Sequence, residues 1–476
     1  MGLSKKAGLL LGPILFFLII SLPFELVSEN GDRVVAVAAW MVVWWITEAV
    51  SISVTALLPL LLFPILKIMP IDEVGANYGS PIIFLFFGGF VLALALEKVN
   101  LHKRIALNII KITGTTPNKV VLGFMIATAA LSMWISNTAS TVVMLPIALS
   151  VIKLLIHDAD GFTRDDRNFA LSVMLGIAFS ANAGGIATVI GTPPNSVLIG
   201  LLENEYNIEI SFLKWMTIGL PFSVILLFIC YLVLVKWMFP NRQLKFNASR
   251  EVIQRELDKL GPTSGKEKMV LTIFGITVFL WIFRTVINGI FPTLQLSDTI
   301  ISMIGAVSLF AIPYRFKRGE FILGWEDTEK LAWGILILFG GGLALANGMS
   351  VSGIVDMVSN AIATAEVSVF ITASLLIFLM LFMTELMSNV ALIAVLAPVV
   401  AGIAIGLDIP LLYLLIPVTI ASSCAFMLPM ATPPNAIVFA SGYIKVHQMA
   451  RAGIILNLIS VGLLMLMFQF VLPLLF

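Results

Sequence analysis

Two short polar strings interrupt otherwise apolar sequence: Ser136-Asn137-Thr138 within MWISNTASTVVMLP, and Ser388-Asn389-Val390 within ELMSNVALIAVLAP. Each precedes an apolar helical stretch, and Ser and Asn in that place are strong helix N-caps. A helix that starts inside a membrane turns free N–H groups and the positive end of its dipole toward the break, which attracts anions. Asn and Thr side chains add oriented amide and hydroxyl donors. The same breaks expose carbonyl oxygens, which together with Ser, Thr and Asn oxygens make an all-oxygen cage for a hard cation. No Lys or Arg occurs from Met125 to Val151, and only Lys445 from Ile371 to Val446. A fixed positive charge there would be costly with the site empty, and a bound cation supplies the charge instead.

These strings are landmarks of a duplication. Ser136-Asn137 and Ser388-Asn389 stand 252 residues apart, as do FLFFGGFVLALALEKVNL around Phe87 and LILFGGGLALANGMSVSGI around Phe339. A third landmark, GTPPNSVLIG from Gly191, matches ATPPNAIVFA from Ala431 at an offset of 240, and the longer polar connection HDADGFTRDDRN of the first half absorbs the difference. Three landmarks in one order define two related halves. The contents favour inverted repeats: each half holds a Gly-Gly segment suited to a re-entrant hairpin, then helices broken at Ser-Asn and at Thr-Pro-Pro-Asn. Non-helical backbone at membrane depth is tolerated only where protein or a water-filled cavity satisfies it, so paired interruptions point to a binding site.

The elements that carry these breaks are membrane helices. The chain of 476 residues is 59% hydrophobic and 12% charged, against about 25% charged in soluble domains, and it contains roughly ten to fourteen apolar segments near the ~20-residue span length, several interrupted. This predicts an all-α polytopic membrane protein. Lys5 and Lys6 precede an apolar run with no small-residue cleavage site, so the N-terminus reads as a retained first span starting in the cytoplasm. The polar interruption Lys236 to Lys268, with eight Lys/Arg against four Asp/Glu, reads as cytoplasmic as well, which keeps the sequon at Asn247 from glycosylation. A net charge of +1 without a broad basic face argues against nucleic acid as a partner. Cys230 and Cys424 read as small core residues, with no disulfide framework or metal cluster. Glu48 and Glu385, acids in apolar surroundings, either serve the site or tie down a helix end. His102, His157 and His447 lie in charged connections and are expected to be solvated. No nucleophile–base pair or metal carboxylate cluster supports an enzyme, and two related broken-helix units favour a closed alternating site over a channel.

The motifs WWITEAVSISVTALLPL, SNTAST, SNVALIAVLAP and SCAFMLPMATPPNAIVFASGYI resemble those of the divalent anion:sodium symporter family, the sodium-coupled dicarboxylate and citrate transporters, and the resemblance covers nearly the whole chain. It implies a multi-pass protein of the bacterial inner membrane, a homodimer whose protomers each combine a scaffold domain (1–75 and 204–330, with a cytoplasmic loop over 240–267) with an elevator-type transport domain (76–203 and 331–476). It implies a first sodium site at Ser132, Ser136, Asn137 and Gly185, and a second at Thr384, Met387, Asn389 and Ala431, with Gly185, Met387 and Ala431 acting through carbonyls. Substrate carboxylates would meet Asn137 and Thr138 from one half and Ser388 and Asn389 from the other, near Val390, Thr432 and Pro433. Thr138 is answered by Val390, so the hydroxyl contact at that end is absent.

The activity implied is uptake of four-carbon dicarboxylates such as succinate, malate and fumarate, with sodium as coupling ion and no further cofactor. A sodium-independent exchanger and a citrate or sulfate carrier stand as alternatives, and the cation-suited oxygens of Ser132 and Thr384 favour the symporter. Energetics agree: a dianion entering against 100 mV, negative inside, costs about 4.6 kcal/mol, so two cotransported monovalent cations cancel the cost and a third makes the potential drive uptake.

Overall fold

The computed structural model describes residues 3–21, 27–114, 116–156, 163–240, 249–315, 319–365 and 367–476; Asn247 and His157 lie outside them. Among the described residues the chain is helical apart from one short antiparallel pair, Pro313–Arg315 with Glu320–Phe321. Among the described residues six helices are long and apolar enough to cross a membrane, and seven further apolar helices have 10–17 residues. The shorter ones include segments that flank the breaks, Pro117–Ser132 and Val369–Met383. Large apolar side chains such as Leu10, Phe17, Phe228 and Phe279 stand exposed on the outer helices, as they do where lipid rather than water is the solvent.

The sequence offsets are also helix offsets. Pro81–Lys98 and Trp333–Val351, Pro117–Ser132 and Val369–Met383, and Asn137–Ile156 and Asn389–Gly406 each begin 252 residues apart. Pro193–Tyr206 and Pro433–Phe439 begin 240 apart. The halves exchange contacts: the Asn137–Ile156 helix packs on Pro433–Phe439, while its counterpart Asn389–Gly406 packs on Pro193–Tyr206. Phe179 and Phe426 meet edge to face across this junction with ring centres 5.2 Å apart, and Phe86 and Phe339 do so at 4.8 Å.

The Gly-Gly segments differ from expectation. Pro81–Lys98 and Trp333–Val351 run as unbroken helices through Gly88-Gly89 and Gly340-Gly341-Gly342, so neither segment turns back at its glycines. Glycine weakens a helix by about 1 kcal/mol relative to alanine but removes no hydrogen bond, and here it permits close approach. A Cβ at Gly88 would stand 2.0 Å from Ser302 Oγ, and one at Gly341 would stand 2.2 Å from Ala56 O.

The breaks fall instead at the polar strings. Between Ser132 and Asn137, and between Met383 and Asn389, helix gives way to a short turn. At the second pair of breaks, prolines 193–194 and 433–434 occupy the first helical positions, where their missing N–H is unneeded. Proline also forces the preceding residue into extended backbone: Thr192 sits at φ −141°, ψ 138° and Thr432 at φ −140°, ψ 151°. Two short segments 240 residues apart, one in each half, therefore adopt the same local geometry for the same steric reason.

Candidate functional site

Ser132 closes one helix and Asn137 opens the next, so the intervening turn folds their side chains together. Ser132 Oγ lies 2.5 Å from Asn137 Oδ1 and 2.7 Å from the carbonyl of Ala181. A hydroxyl carries one proton and donates to one of these at a time, so three oxygens converge with a single proton among them. Gly185 borders this cluster: a Cβ there would stand 2.5 Å from Asn137 Oδ1 and 3.1 Å from Gly191 O. Only glycine lets the two breaks of the first half approach this closely.

The second half repeats the arrangement. Thr384 Oγ1 lies 2.6 Å from Asn389 Oδ1 and 2.8 Å from the carbonyl of Ser422. Ser132 and Thr384 are buried, while Asn137 and Asn389 are half-buried at the helix starts. Met387 lies in the turn before Asn389 and Ala431 at the end of the other break, where it is buried. Hydrogen bonds that assemble this cluster run through Thr384, Asn389 and Ser422.

The asparagines of the Thr-Pro-Pro-Asn strings have a role that the sequence reading left out. Asn195 Nδ2 donates to the carbonyls of Thr188, Gly185 and Ile186, at 2.8, 3.3 and 3.4 Å. Asn435 Nδ2 donates to those of Leu428 and Ala425, at 3.1 and 3.2 Å. Positions 195 and 435, 188 and 428, and 185 and 425 are equivalent under the 240 offset, so one fully buried amide in each half ties down carbonyls that its broken helix leaves without partners. The repeated PPN string is the signal that pointed to them. Asn182 has no asparagine counterpart: its Nδ2 donates to Ala425 O and to Thr432 Oγ1, both at 3.1 Å, linking the halves directly.

The remaining predicted residues divide by exposure. Thr138 and Pro433 are exposed and Ser388 and Val390 are half-buried, whereas Thr432 is buried with its oxygen accepting from Asn182 and from Asn435 N. Ser136 Oγ accepts from Ala139 N at 3.2 Å and so caps the Asn137–Ile156 helix, one residue before Asn137. Ser388 occupies the cap position of its helix without a side-chain hydrogen bond.

The two acids prove unlike. Glu48 is exposed at a left-handed residue that ends the Glu29–Thr47 helix, 3.3 Å from Lys5 Nζ, and ties down a helix end. Glu385 is buried beside the second oxygen cluster. His102, expected to be solvated, is instead buried, with Nδ1 2.9 Å from Leu96 O: a carbonyl left over at the end of the Pro81–Lys98 helix gives the imidazole a partner inside the protein. His447 is exposed as expected, and Cys230 and Cys424 are buried and free. Among the described residues no group of three His, Cys, Asp or Glu side chains gathers to hold a metal.

Residues 4–476 match the family described as the sodium:sulfate symporter transmembrane region. The chain belongs to this family. It is 40% identical over 479 residues to the sodium-dependent dicarboxylate transporter SdcS of Staphylococcus saprophyticus, a match covering 99% of this chain and 92% of that protein. It is 39% identical over 481 residues to SdcS of Staphylococcus aureus strain RF122, with the same coverage. Among solved structures, the YdaH transporter of Alcanivorax borkumensis superposes with a TM-score of 0.58 at 13% identity, over 84% of this chain and 88% of that one. MtrF of Neisseria gonorrhoeae gives 0.54 at 13%, over 98% and 95%. At that identity the likeness is one of fold, a helical membrane-transporter architecture shared along most of the chain.

Proposed function

We propose that this family member is a secondary active transporter that couples the inward movement of C4-dicarboxylates, such as succinate, malate and fumarate, to sodium. The observation that carries the reading is the matched pair of oxygen clusters, Ser132–Asn137–Ala181 and Thr384–Asn389–Ser422. Each joins the amide oxygen at the start of one helix to a hydroxyl at the end of the helix before it and a backbone carbonyl near the end of a third, which suits a dehydrated monovalent cation. Sodium at the two cages, the first also drawing on Ser136 and Gly185 and the second on Met387 and Ala431, brings positive charge beside two helix N-termini that lack Lys and Arg. A dicarboxylate then places one carboxylate near Asn137 and Thr138 and the other near Ser388 and Asn389, with Val390, Thr432 and Pro433 alongside. Relatives described as sodium-dependent dicarboxylate transporters support the same assignment.

The coupling follows from charge. The dianion faces no fixed cation and is held only beside bound sodium; two sodium ions cancel its charge, and a third makes the loaded site net positive, so that an inside-negative potential drives uptake. In this reading residues 76–203 and 331–476 form a transport unit that carries the site between the two faces of a bacterial inner membrane. Residues 1–75 and 204–330 form the scaffold, through which two protomers pair, and 240–267 face the cytoplasm. The test is uptake by the purified protein in proteoliposomes: succinate should enter only with external sodium, faster with an inside-negative potential, and choline should not replace sodium. Uptake that persists without sodium and requires internal dicarboxylate makes the protein an exchanger; competition by citrate and sulfate fixes the substrate class.

A further inference from the structure

Met133 and Glu385, equivalent positions 252 residues apart in the two breaks, differ in charge. In the first half Thr188 Oγ1 donates to the carbonyl of Met133 at 2.5 Å. In the second, the equivalent of Thr188 is Leu428, and its backbone N–H donates to Glu385 Oε2 at 3.0 Å. Glu385 Oε1 accepts from the N–H of Phe426 at 2.8 Å, from that of Met427 at 2.9 Å and from Asn457 Nδ2 at 2.7 Å. The same gap is thus bridged in both halves, by a neutral hydroxyl in one and by a carboxylate under four donors in the other. Donors of this kind make strong bonds to an ionised acceptor, yet none of these four partners carries a positive charge.

Glu385 adjoins Thr384, whose hydroxyl belongs to the second oxygen cluster. The backbone it holds, Phe426 to Leu428, runs from just past the Ser422 carbonyl toward Ala431. A buried carboxylate therefore stands beside one proposed cation cage, while the corresponding place beside the other holds an uncharged methionine.

We propose that Glu385 is a positioning residue that gives the second cation cage a net negative charge the first lacks, so that the second cage takes up sodium at lower concentration and fills first. This rests on the sodium-coupled reading above. Thr384 and Glu385 are neighbours in the chain, and a unit charge within about 10 Å of a monovalent cation, at an effective dielectric constant near ~20, changes affinity by about tenfold or more. Staple and charge act together: the carboxylate fixes the unwound backbone and also attracts the ion beside it.

The test is the sodium-dependent rise in melting temperature of the purified full-length protein, titrated with sodium chloride against choline chloride at constant ionic strength. Succinate KM at saturating sodium is measured alongside. Glu385→Gln, which keeps shape and loses charge, should raise the half-saturating sodium concentration about tenfold while leaving succinate KM at saturating sodium within about twofold. Glu385→Asp, which keeps the charge, should return the sodium midpoint toward wild type. A sodium midpoint for Glu385→Gln within about twofold of wild type, or equal losses in sodium and succinate affinity, overturns the proposal. If neither variant accumulates, Asn457→Leu decides it: the carboxylate loses one compensating donor, so the sodium midpoint should fall, and an unchanged or higher midpoint overturns the proposal. A wild-type protein that sodium does not stabilise at all overturns the sodium-coupled reading itself and this inference with it.

Discussion

Ser132 and Thr384 do the same thing 252 residues apart: each hydroxyl lies between an asparagine Oδ1 (2.5 and 2.6 Å) and a backbone carbonyl (2.7 and 2.8 Å) from the next broken helix of its own half. A serine in one half and a threonine in the other place a hydroxyl at matching distances from its two oxygen partners. What the two residues share is the hydroxyl.

Replacing these hydroxyls should therefore act on sodium. Ser132→Ala and Thr384→Val each take one oxygen from a cage and leave the asparagine and carbonyl oxygens without their shared proton. Loss of a partner from buried polar groups costs about 1–3 kcal/mol, so the sodium concentration for half-maximal uptake should rise about tenfold or more. Sodium activation curves at fixed succinate check this; unaltered curves in both variants remove the clusters from the coupling mechanism.

Asn137 and Asn389 carry two assignments each, one to a cation and one to a carboxylate. Asn137→Ala and Asn389→Ala should each abolish uptake, while gel-filtration profile and far-UV circular dichroism stay those of the wild type. Normal transport by either purified variant takes that half out of the site.

Asn195 and Asn435 should behave as structural residues. Asn195→Leu and Asn435→Leu strip a donor from buried carbonyls near the breaks, an expected loss of about 1–3 kcal/mol of stability, read as a lower melting temperature in sodium-free buffer. A variant that melts like wild type shows that its amide is not what holds the break.

Thr138 and Val390 break the symmetry of the motifs, and their exposures, exposed and half-buried, leave both open to a bound molecule. Valine and threonine are close in shape, so Val390→Thr adds a donor without repacking; a hydrogen bond to a charged group is worth about 1.5–3 kcal/mol at best, and desolvation of the new hydroxyl reduces the gain to tenfold in apparent succinate affinity at most, about 1.4 kcal/mol. Thr138→Val should weaken transport by more, because a carboxylate oxygen loses its donor. Sodium dependence should survive both. Succinate half-saturation measured side by side decides it, and a silent Thr138→Val defeats two-ended recognition.

What the sequence determined by itself is local in origin. Proline at 193–194 and 433–434 places a helix start and an extended threonine before it whatever surrounds them, and the duplication fixed by the 252 and 240 offsets reappears as equal spacing of helix starts. Ser132 meets Asn137, and Thr384 meets Asn389, within one turn; residue types and spacing marked the breaks at Ser136-Asn137 and Ser388-Asn389, while Ser132 and Thr384 entered through the family resemblance. Only the tertiary structure decided which carbonyls complete the clusters: Ala181 lies 49 residues from Ser132, and any residue supplies the same C=O, so no side chain announces it. It likewise decided that the Gly-Gly helices continue, because what glycine permits depends on the neighbour that approaches, here Ser302 and Ala56. The link from Asn182 to Thr432 across 250 residues, the burial of His102 against a helix-end carbonyl and the four donors around Glu385 are of the same kind. Each joins a side chain to backbone or to a distant residue, and such partners are chosen by packing after the helices have formed.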